Sequence, residues 1–330
     1  MTDEHNFPPE PVPRRRSPAG QALAVMLTGL LVACLLNADR LDHTAHTQPF
    51  GWQRTWDLRA TGPLKAVSHA TGLNLPRKWL AKSAGNVDPP PPQDTKTVVT
   101  APPPPKGTTT TTRPLVVRTP TEAAPVRILV VGDSLMGWIG PALTKQLGSR
   151  PVKITEDFEV GTGLARPDVT NWPAQLTSDM TSYDPEVVVV GFGGNDAQDM
   201  STDEGRVTVG SKAWAAEYQR RVAQVLNAVE KPGRTVYWIG LPITTKATIE
   251  AAAPSMVRAE KAEIAARPWA HFVDTHKSLS PDGTYTAYLP DGSGGEVKVR
   301  ENDGVHPNLA GATRIVAPLV ELLIKERKLL

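Results

Sequence analysis

Apolar positions along this chain change their spacing from one segment to the next, and each spacing predicts a different kind of structure. From Ser17 to Ala38 no charged residue occurs, and the centre of the run reads ALAVMLTGLLVACLL. About 20 helical residues at 1.5 Å each cross a hydrocarbon core of roughly 30 Å, so the run predicts a membrane-spanning helix over 17–38. Residues 39–87 mix polar and apolar positions without a sustained period. They are expected to form a juxtamembrane stem with short helices around Leu64–Thr71 and Lys78–Ala84, and no chemistry is assigned to it. The stretch Asp88–Pro114, DPPPPQDTKTVVTAPPPPKGTTTTTRP, offers almost no apolar surface. Its proline runs favour polyproline II, so a disordered, semi-stiff linker is expected over 88–124. Largely extended at about 3 Å per residue, Asp88–Pro114 would span roughly 60–90 Å.

The texture changes again at Val126. Val126–Val131 and Glu186–Phe192 are short, continuous apolar runs, as in strands buried on both faces. Thr235–Leu241 and His271–Thr275 read the same way, and a further strand is expected at either Val152–Ile154 or Phe158–Val160. Between Ser211 and Glu230 the residues Trp214, Tyr218, Val222, Val225 and Val229 recur at spacings of three and four, which predicts a helix capped by Ser211 and stopped by Pro232-Gly233. Helices are also expected near Met256–Ala266 and over Asn308–Lys328. Strands that alternate with helices imply a parallel sheet covered by helices on both faces, an α/β domain over 125–330. In such sheets ligands bind beyond the carboxyl ends of the strands.

Charge and composition narrow the function classes. A formal net charge of +2, without a basic stripe carrying interleaved aromatics, argues against a dedicated nucleic-acid binder. The single cysteine, Cys34, excludes an intramolecular disulfide and a thiolate metal cluster. The seven histidines have no zinc spacing, and His43 and His46 are read as surface residues beside the anchor. No metal or organic cofactor is expected. Arg14, Arg15 and Arg16 precede the apolar run, so residues 1–16 are expected to stay in the cytoplasm and everything after the helix to lie outside it. The cell membrane is then a partner through this helix. Two alternatives share that outcome: a signal peptide cleaved after Leu36-Asn37-Ala38, and lipidation at Cys34 within Leu31-Val32-Ala33-Cys34.

Four unusual blocks punctuate the junctions between elements. GDSL places Ser134 after the first strand. GTGLARPD follows at Gly161–Asp168, GGND at Gly193–Asp196, and DGVHPN at Asp303–Asn308, before the last helix. A serine hydroxyl is a nucleophile only beside a base, and His306 can accept its proton and return it to a leaving group. Asp303, three residues earlier, can orient that imidazole. A tetrahedral oxyanion needs preorganised donors, which the Ser134 N–H, a glycine N–H of the second block and the Asn195 amide can supply, aided by the dipole of a helix starting at Ser134. Asp133 and Asp196 are read as structural, bonding local backbone. Arg166 and Asp168 are expected to line the pocket or to pair at the surface, and Trp138 to enter the core on the following helix, with stacking on a substrate as the alternative.

Met136 stands where the G-x-S-x-G elbow has its second glycine, so the α/β-hydrolase motif is absent. The four blocks, in this order, resemble those of the SGNH hydrolases, or GDSL-type esterases, from Val126 to the C-terminus. The resemblance implies a three-layer, flavodoxin-like domain with Ser134 as nucleophile, His306 as base and Asp303 as its orienter. It implies Gly163 and Asn195 as oxyanion donors with the Ser134 amide, and Gly161 is the alternative to Gly163. The anchor, stem and proline-rich linker, the phrase QPFGWQR at Gln48–Arg54 and the hairpin-like Thr284–Arg300 further resemble the bacterial DUF459-type subgroup. An acylated glycan or another small ester is the implied substrate, with removal of acetyl groups from a cell-envelope glycan as the implied reaction. The same triad could instead serve an O-acyltransferase, and a tethered envelope-binding scaffold with a vestigial site is the non-enzymatic alternative.

Overall fold

The computed structural model describes residues 19–48, 51–77, 79 and 118–329. They fall into two units, divided between Pro91 and Pro92.

Among the described residues, the first unit contains helices α1 (Ala19–Leu36), α2 (Ala38–Thr47) and α3 (Trp52–Thr71). No residue of α1 is buried, and Leu23, Met26, Leu30 and Leu31 all face outward. Such a surface suits lipid rather than a protein core. By length and composition α1 can cross a membrane, and a signal sequence passes the same test. The stem is more helical than expected. Gly62-Pro63 reads as a break in sequence, because proline removes a donor and crowds the preceding turn. Yet α3 runs straight through it. Tertiary bonds hold the helix on either side of the proline. Lys65 Nζ lies 2.7 Å from Asp42 Oδ2, Thr61 donates to Asp42 Oδ1 at 3.3 Å, and Ser68 Oγ donates to the Leu35 carbonyl at 2.7 Å. The helix ends at Gly72, whose left-handed backbone accepts no side chain cheaply. The helix expected at Lys78–Ala84 lies outside the described residues except for Trp79.

In the second unit, residues 118–124 belong to the fold, although the linker was expected to extend to 124. Thr121 and Ala124 exchange backbone hydrogen bonds of 3.2 and 3.0 Å, and Arg118 pairs with Glu186 at 2.7 Å. The rest of the expected linker, 88–117, lies outside the described residues. Five parallel strands then form one sheet: β1 (Val126–Gly132), β2 (Val152–Phe158), β3 (Val187–Gly191), β6 (Thr235–Ile239) and β7 (Ala270–Val273), in the order β2-β1-β3-β6-β7. This is the flavodoxin-like arrangement, whose strand order reverses beside β1 and opens a crevice between β1 and β3. Two short antiparallel hairpins lie outside the sheet, β4–β5 (Met200–Thr202, Gly205–Val207) and β8–β9 (Tyr288–Pro290, Glu296–Lys298).

Alternation along β1 builds both cores. Ile128 and Val130 pack with Leu143 of α4 (Ile139–Leu147) and with Ile315 and Leu319 of α9 (Leu309–Glu326). Leu129 and Val131 pack with Trp172 of α5 (Trp172–Tyr183), Trp214 and Val222 of α6 (Lys212–Val229), and Met256 of α7 (Ala247–Ala265). A short α8 (Thr275–Leu279) follows β7. The result is three layers. Ser211 and Asn308 cap α6 and α9, accepting from Trp214 N and Gly311 N at 3.1 and 3.0 Å. The second strand is Val152–Phe158, paired with β1 from Val126↔Val152 to Gly132↔Phe158; Val160 is exposed and outside it. As an edge strand it alternates only over Val152–Thr155 and is polar through Asp157, and so lacks the continuous apolar run that marks β1 and β3.

Candidate active site

At the end of β1 the chain needs glycine. Gly132 has φ +143°, and a Cβ there would lie 2.0 Å from the Gly191 carbonyl oxygen of β3. Next, Asp133 Oδ1 accepts the Leu135 N–H at 2.9 Å and caps a three-residue 3-10 turn, Ser134–Met136. This corrects one expectation: α4 starts only at Ile139, so no α-helix begins at Ser134 to lend it a full dipole.

Ser134 and His306 meet across 172 residues of sequence. Ser134 Oγ lies 2.7 Å from His306 Nε2, and His306 Nδ1 lies 2.5 Å from Asp303 Oδ2. Asp303 Oδ1 accepts the N–H groups of Val305 and His306 at 2.8 and 3.0 Å. Partial burial works against the Asp303 carboxylate, but hydrogen bonds from the Val305 N–H and from His306 outweigh it and hold the carboxyl down at about 2. An ionised Asp303 can only accept, so Nδ1 carries the proton. The lone pair of Nε2 therefore faces the serine hydroxyl, as a general base requires.

The loop bearing the pair is fastened by Arg300, which sequence reasoning missed. This buried guanidinium donates to the Val305 carbonyl at 3.0 Å and to the Ile243 carbonyl at 2.5 Å. Trp138 is also corrected. It is 41% exposed rather than in the core, and its Nε1 donates to Glu301 Oε1 at 3.2 Å. The Glu301 N–H in turn bonds the His306 carbonyl at 2.9 Å, so the indole edges the site.

Of the two glycines proposed for the oxyanion, Gly163 is buried and Gly161 is exposed at φ +78°. A Cβ on Gly163 would meet Asp196 Oδ1 at 2.3 Å. Asn195 Nδ2 donates to the Thr162 carbonyl at 2.8 Å, which commits one of its two N–H groups to the loop of Gly163. Beneath, two fully buried carboxylates join the loops. Asp133 Oδ2 accepts the Gly194 N–H at 2.9 Å, while Asp196 accepts the Ala165 N–H at 2.7 Å and the Tyr218 hydroxyl at 3.2 Å. Both act as the structural reading expected. Arg166 is buried, 3% exposed, and grips Asp168 through two bonds of 2.8 and 2.7 Å, so this pair is not a surface one. Arg221 of α6 donates to the Leu164 carbonyl at 2.7 Å and steadies the same loop. The signal for it was available, since Arg221 falls on the stripe of Trp214, Tyr218 and Val225.

The buried acids make stability depend on pH in a specific direction. Burial pushes Asp133 up to about 7, with Asp196 adding to it, and burial pushes Glu260 up to about 8. The folded state therefore keeps protons that the unfolded chain releases above about pH 4, and stability falls as pH rises from about 4 to 8. Each such proton is worth about 1.4 kcal/mol per pH unit. Asp303 has the opposite sign, and its contribution is lost only as pH falls from about 4 towards 2. The midpoint of urea unfolding, followed by tryptophan fluorescence, is expected to be higher at pH 5 than at pH 8. Glu260→Gln should flatten that difference, and an unchanged slope would count against a protonated Glu260.

Residues 127–322 match the family described as protein of unknown function (DUF459). No curated protein matches the chain significantly. Similar solved structures include TesA, at 21% identity and TM-score 0.41, covering 62% of this chain and 99% of that one. A member of the lipolytic protein G-D-S-L family from Veillonella parvula DSM 2008 is 14% identical with TM-score 0.43, over 60% and 98%. A variant of Axe2, an acetyl xylan esterase from Geobacillus stearothermophilus, is 15% identical with TM-score 0.42, over 62% and 94%. Likenesses this distant carry no weight for chemistry. The family match is different in kind: it runs through all four motif blocks and more than half of the chain, and this protein therefore belongs to the DUF459 family.

Proposed function

We propose that this protein is a serine esterase of the SGNH type that removes acyl groups, acetyl above all, from a cell-envelope glycan. In this reading 1–16 is a cytoplasmic tail, 17–38 the membrane anchor, 39–87 the stem, 88–117 the linker and 118–330 the extracytoplasmic hydrolase domain. The observation that carries it is the relay from Ser134 Oγ through His306 to an ionised Asp303, at 2.7 and 2.5 Å. Ser134 Oγ attacks the acyl carbonyl carbon as its proton passes to His306 Nε2. The resulting oxyanion is met by the N–H groups of Ser134 and Gly163 and the amide of Asn195. Collapse breaks the ester C–O bond, and the leaving alkoxide takes the proton from Nε2. Water then repeats the sequence on the acyl-enzyme, releasing the acid and free Ser134. Asp303 stays ionised throughout and stabilises the imidazolium. The exposed indole of Trp138 beside the serine suits a sugar ring, and Arg14–Arg16 before an apolar helix suit an external domain.

The test incubates the full chain, in non-ionic detergent, with a soluble acetyl ester and with an acetylated polysaccharide, and quantifies free acetate. Acetate release from both is expected. Acetyl transfer to an added, unacetylated glycan without free acetate would make the protein an O-acyltransferase. Folded protein that turns over no acetyl ester would leave only the scaffold reading.

A further inference from the structure

At the amino ends of β1, β3 and β6, the opposite edge of the sheet from Ser134, lies a cavity of about 260 Å³. Five cations line it: Arg118, Arg127, Lys231, Arg234 and Arg327. Among the described residues two carboxylates do, Asp184 and Glu186, and both are shared. Asp184 serves Lys231 at 2.5 Å, Arg234 at 3.3 Å and Arg127 at 3.4 Å; Glu186 serves Arg118 at 2.7 Å and Arg127 at 3.7 Å. Five positive charges against two negative ones leave a surplus of three around one cavity.

Two of these cations are buried where solvent cannot compensate them. Arg234 is 4% exposed and Arg327 7%. The Arg327 Nη2 donates to the carbonyls of Glu186 and Gly233 at 3.0 and 3.2 Å and to Thr235 Oγ1 at 2.6 Å. No carboxylate faces it among the described residues, and its buried Nε has no hydrogen-bond partner among them. Burying a guanidinium N–H without an acceptor is costly, and a buried cation without a counter-charge more so. With five cations and two shared carboxylates around it, the cavity suits an anion with several acceptor oxygens. Guanidinium forks and a lysine ammonium together match a phosphoryl group better than a single carboxylate. The cavity also has room for the group on which the phosphate is carried.

We propose that this cavity is a binding site for the phosphate group of a phosphate ester, separate from the ester-cleaving site. Arg327 and Arg234 form its floor. Lys231 and Arg127, about half-exposed, form its mouth.

The test uses the full chain in non-ionic detergent, with binding of inorganic phosphate and of glycerol 1-phosphate followed by calorimetry and by thermal shift at constant ionic strength. Saturable binding that chloride does not reproduce is expected. Arg327→Gln should weaken it by more than tenfold and Lys231→Gln by about three- to tenfold, while Ser134→Ala should bind as wild type does. If Arg327→Gln fails to fold, Lys231→Gln and Arg127→Gln decide. Wild-type protein that responds to phosphate no more than to chloride would overturn the proposal, and so would wild-type affinity in Lys231→Gln and Arg127→Gln. Vesicles of phosphatidylglycerol, compared with phosphatidylcholine, identify the source. Competition between anionic vesicles and phosphate assigns the site to a lipid headgroup, and competition by glycerol 1-phosphate alone assigns it to a soluble ester.

Discussion

Ser134→Ala is expected to lower kcat on a soluble acetyl ester by roughly 10⁴-fold or more while leaving the fold intact. The hydroxyl is the only atom removed, and it does not cap the turn it begins; Asp133 does, through Leu135 N. Circular dichroism and the unfolding midpoint should therefore match wild type. His306→Ala should reproduce the loss, because without an acceptor at Nε2 the hydroxyl keeps its proton. The double variant should lose little beyond either single one, since nucleophile and base act as one unit. Asp303→Asn should cost less. An amide can still bond the imidazole, but it supplies no negative charge to the imidazolium and can hold the wrong tautomer. A folded Ser134→Ala protein with wild-type turnover would overturn the serine-esterase reading.

Asn195→Ala is expected to lower kcat by about 10²–10³ with little change in KM, the usual worth of one oxyanion donor. The geometry adds a second consequence. Asn195 Nδ2 also ties the Thr162 carbonyl, one residue before Gly163, so removing the amide slackens a second proposed donor. Two measurements separate these effects. Amide hydrogen exchange at 161–165 reports the loop, and kcat reports the donor. Asn195→Asp keeps the size of the side chain but cannot donate, and it places negative charge beside the oxyanion; its kcat should fall at least as far as that of the alanine variant. A loss as complete as that of Ser134→Ala, with rapid exchange at 161–165, would mean that Asn195 acts by holding the loop. Wild-type kcat in both variants would remove it from the oxyanion site.

The parts of this protein legible in sequence are those whose cause is local. A continuous apolar run such as VVVV makes a strand with two buried faces wherever it lies, and β3 follows from it. The three-and-four spacing from Trp214 to Val229, with Ser211 before it, makes α6 for the same kind of reason. The motif blocks were legible because each demands a side chain, or the absence of one, at a fixed place. Gly132 is such a case, since any Cβ would strike the Gly191 carbonyl. Elements whose cause is distant were read poorly. The edge strand β2 carries three consecutive polar residues, Thr155–Asp157, and offers a weak signal. Both α3 and α7 pass through a proline that local rules take as a stop, at Pro63 and Pro254. Tertiary hydrogen bonds hold α3, and Ala252, Met256 and Ala259 anchor α7 in the core.

From its residues alone the chain specifies an apolar helix near its start, a proline-rich stretch, an α/β unit and the five residue types, Ser, His, Asp, Gly and Asn, that the proposed chemistry uses. Folding supplies what no spacing contains. It brings Ser134 within 2.7 Å of a histidine 172 residues away, threads the Asp133 and Asp196 carboxylates beneath three loops, leaves Trp138 at the rim, and gathers five cations around one cavity. The reason is the range of the forces. Helix periodicity, caps and glycine backbones act over a few residues and are written in order along the chain. Hydrogen bonds, charge pairs and burial act over a few ångströms, between groups that only the closed sheet makes neighbours.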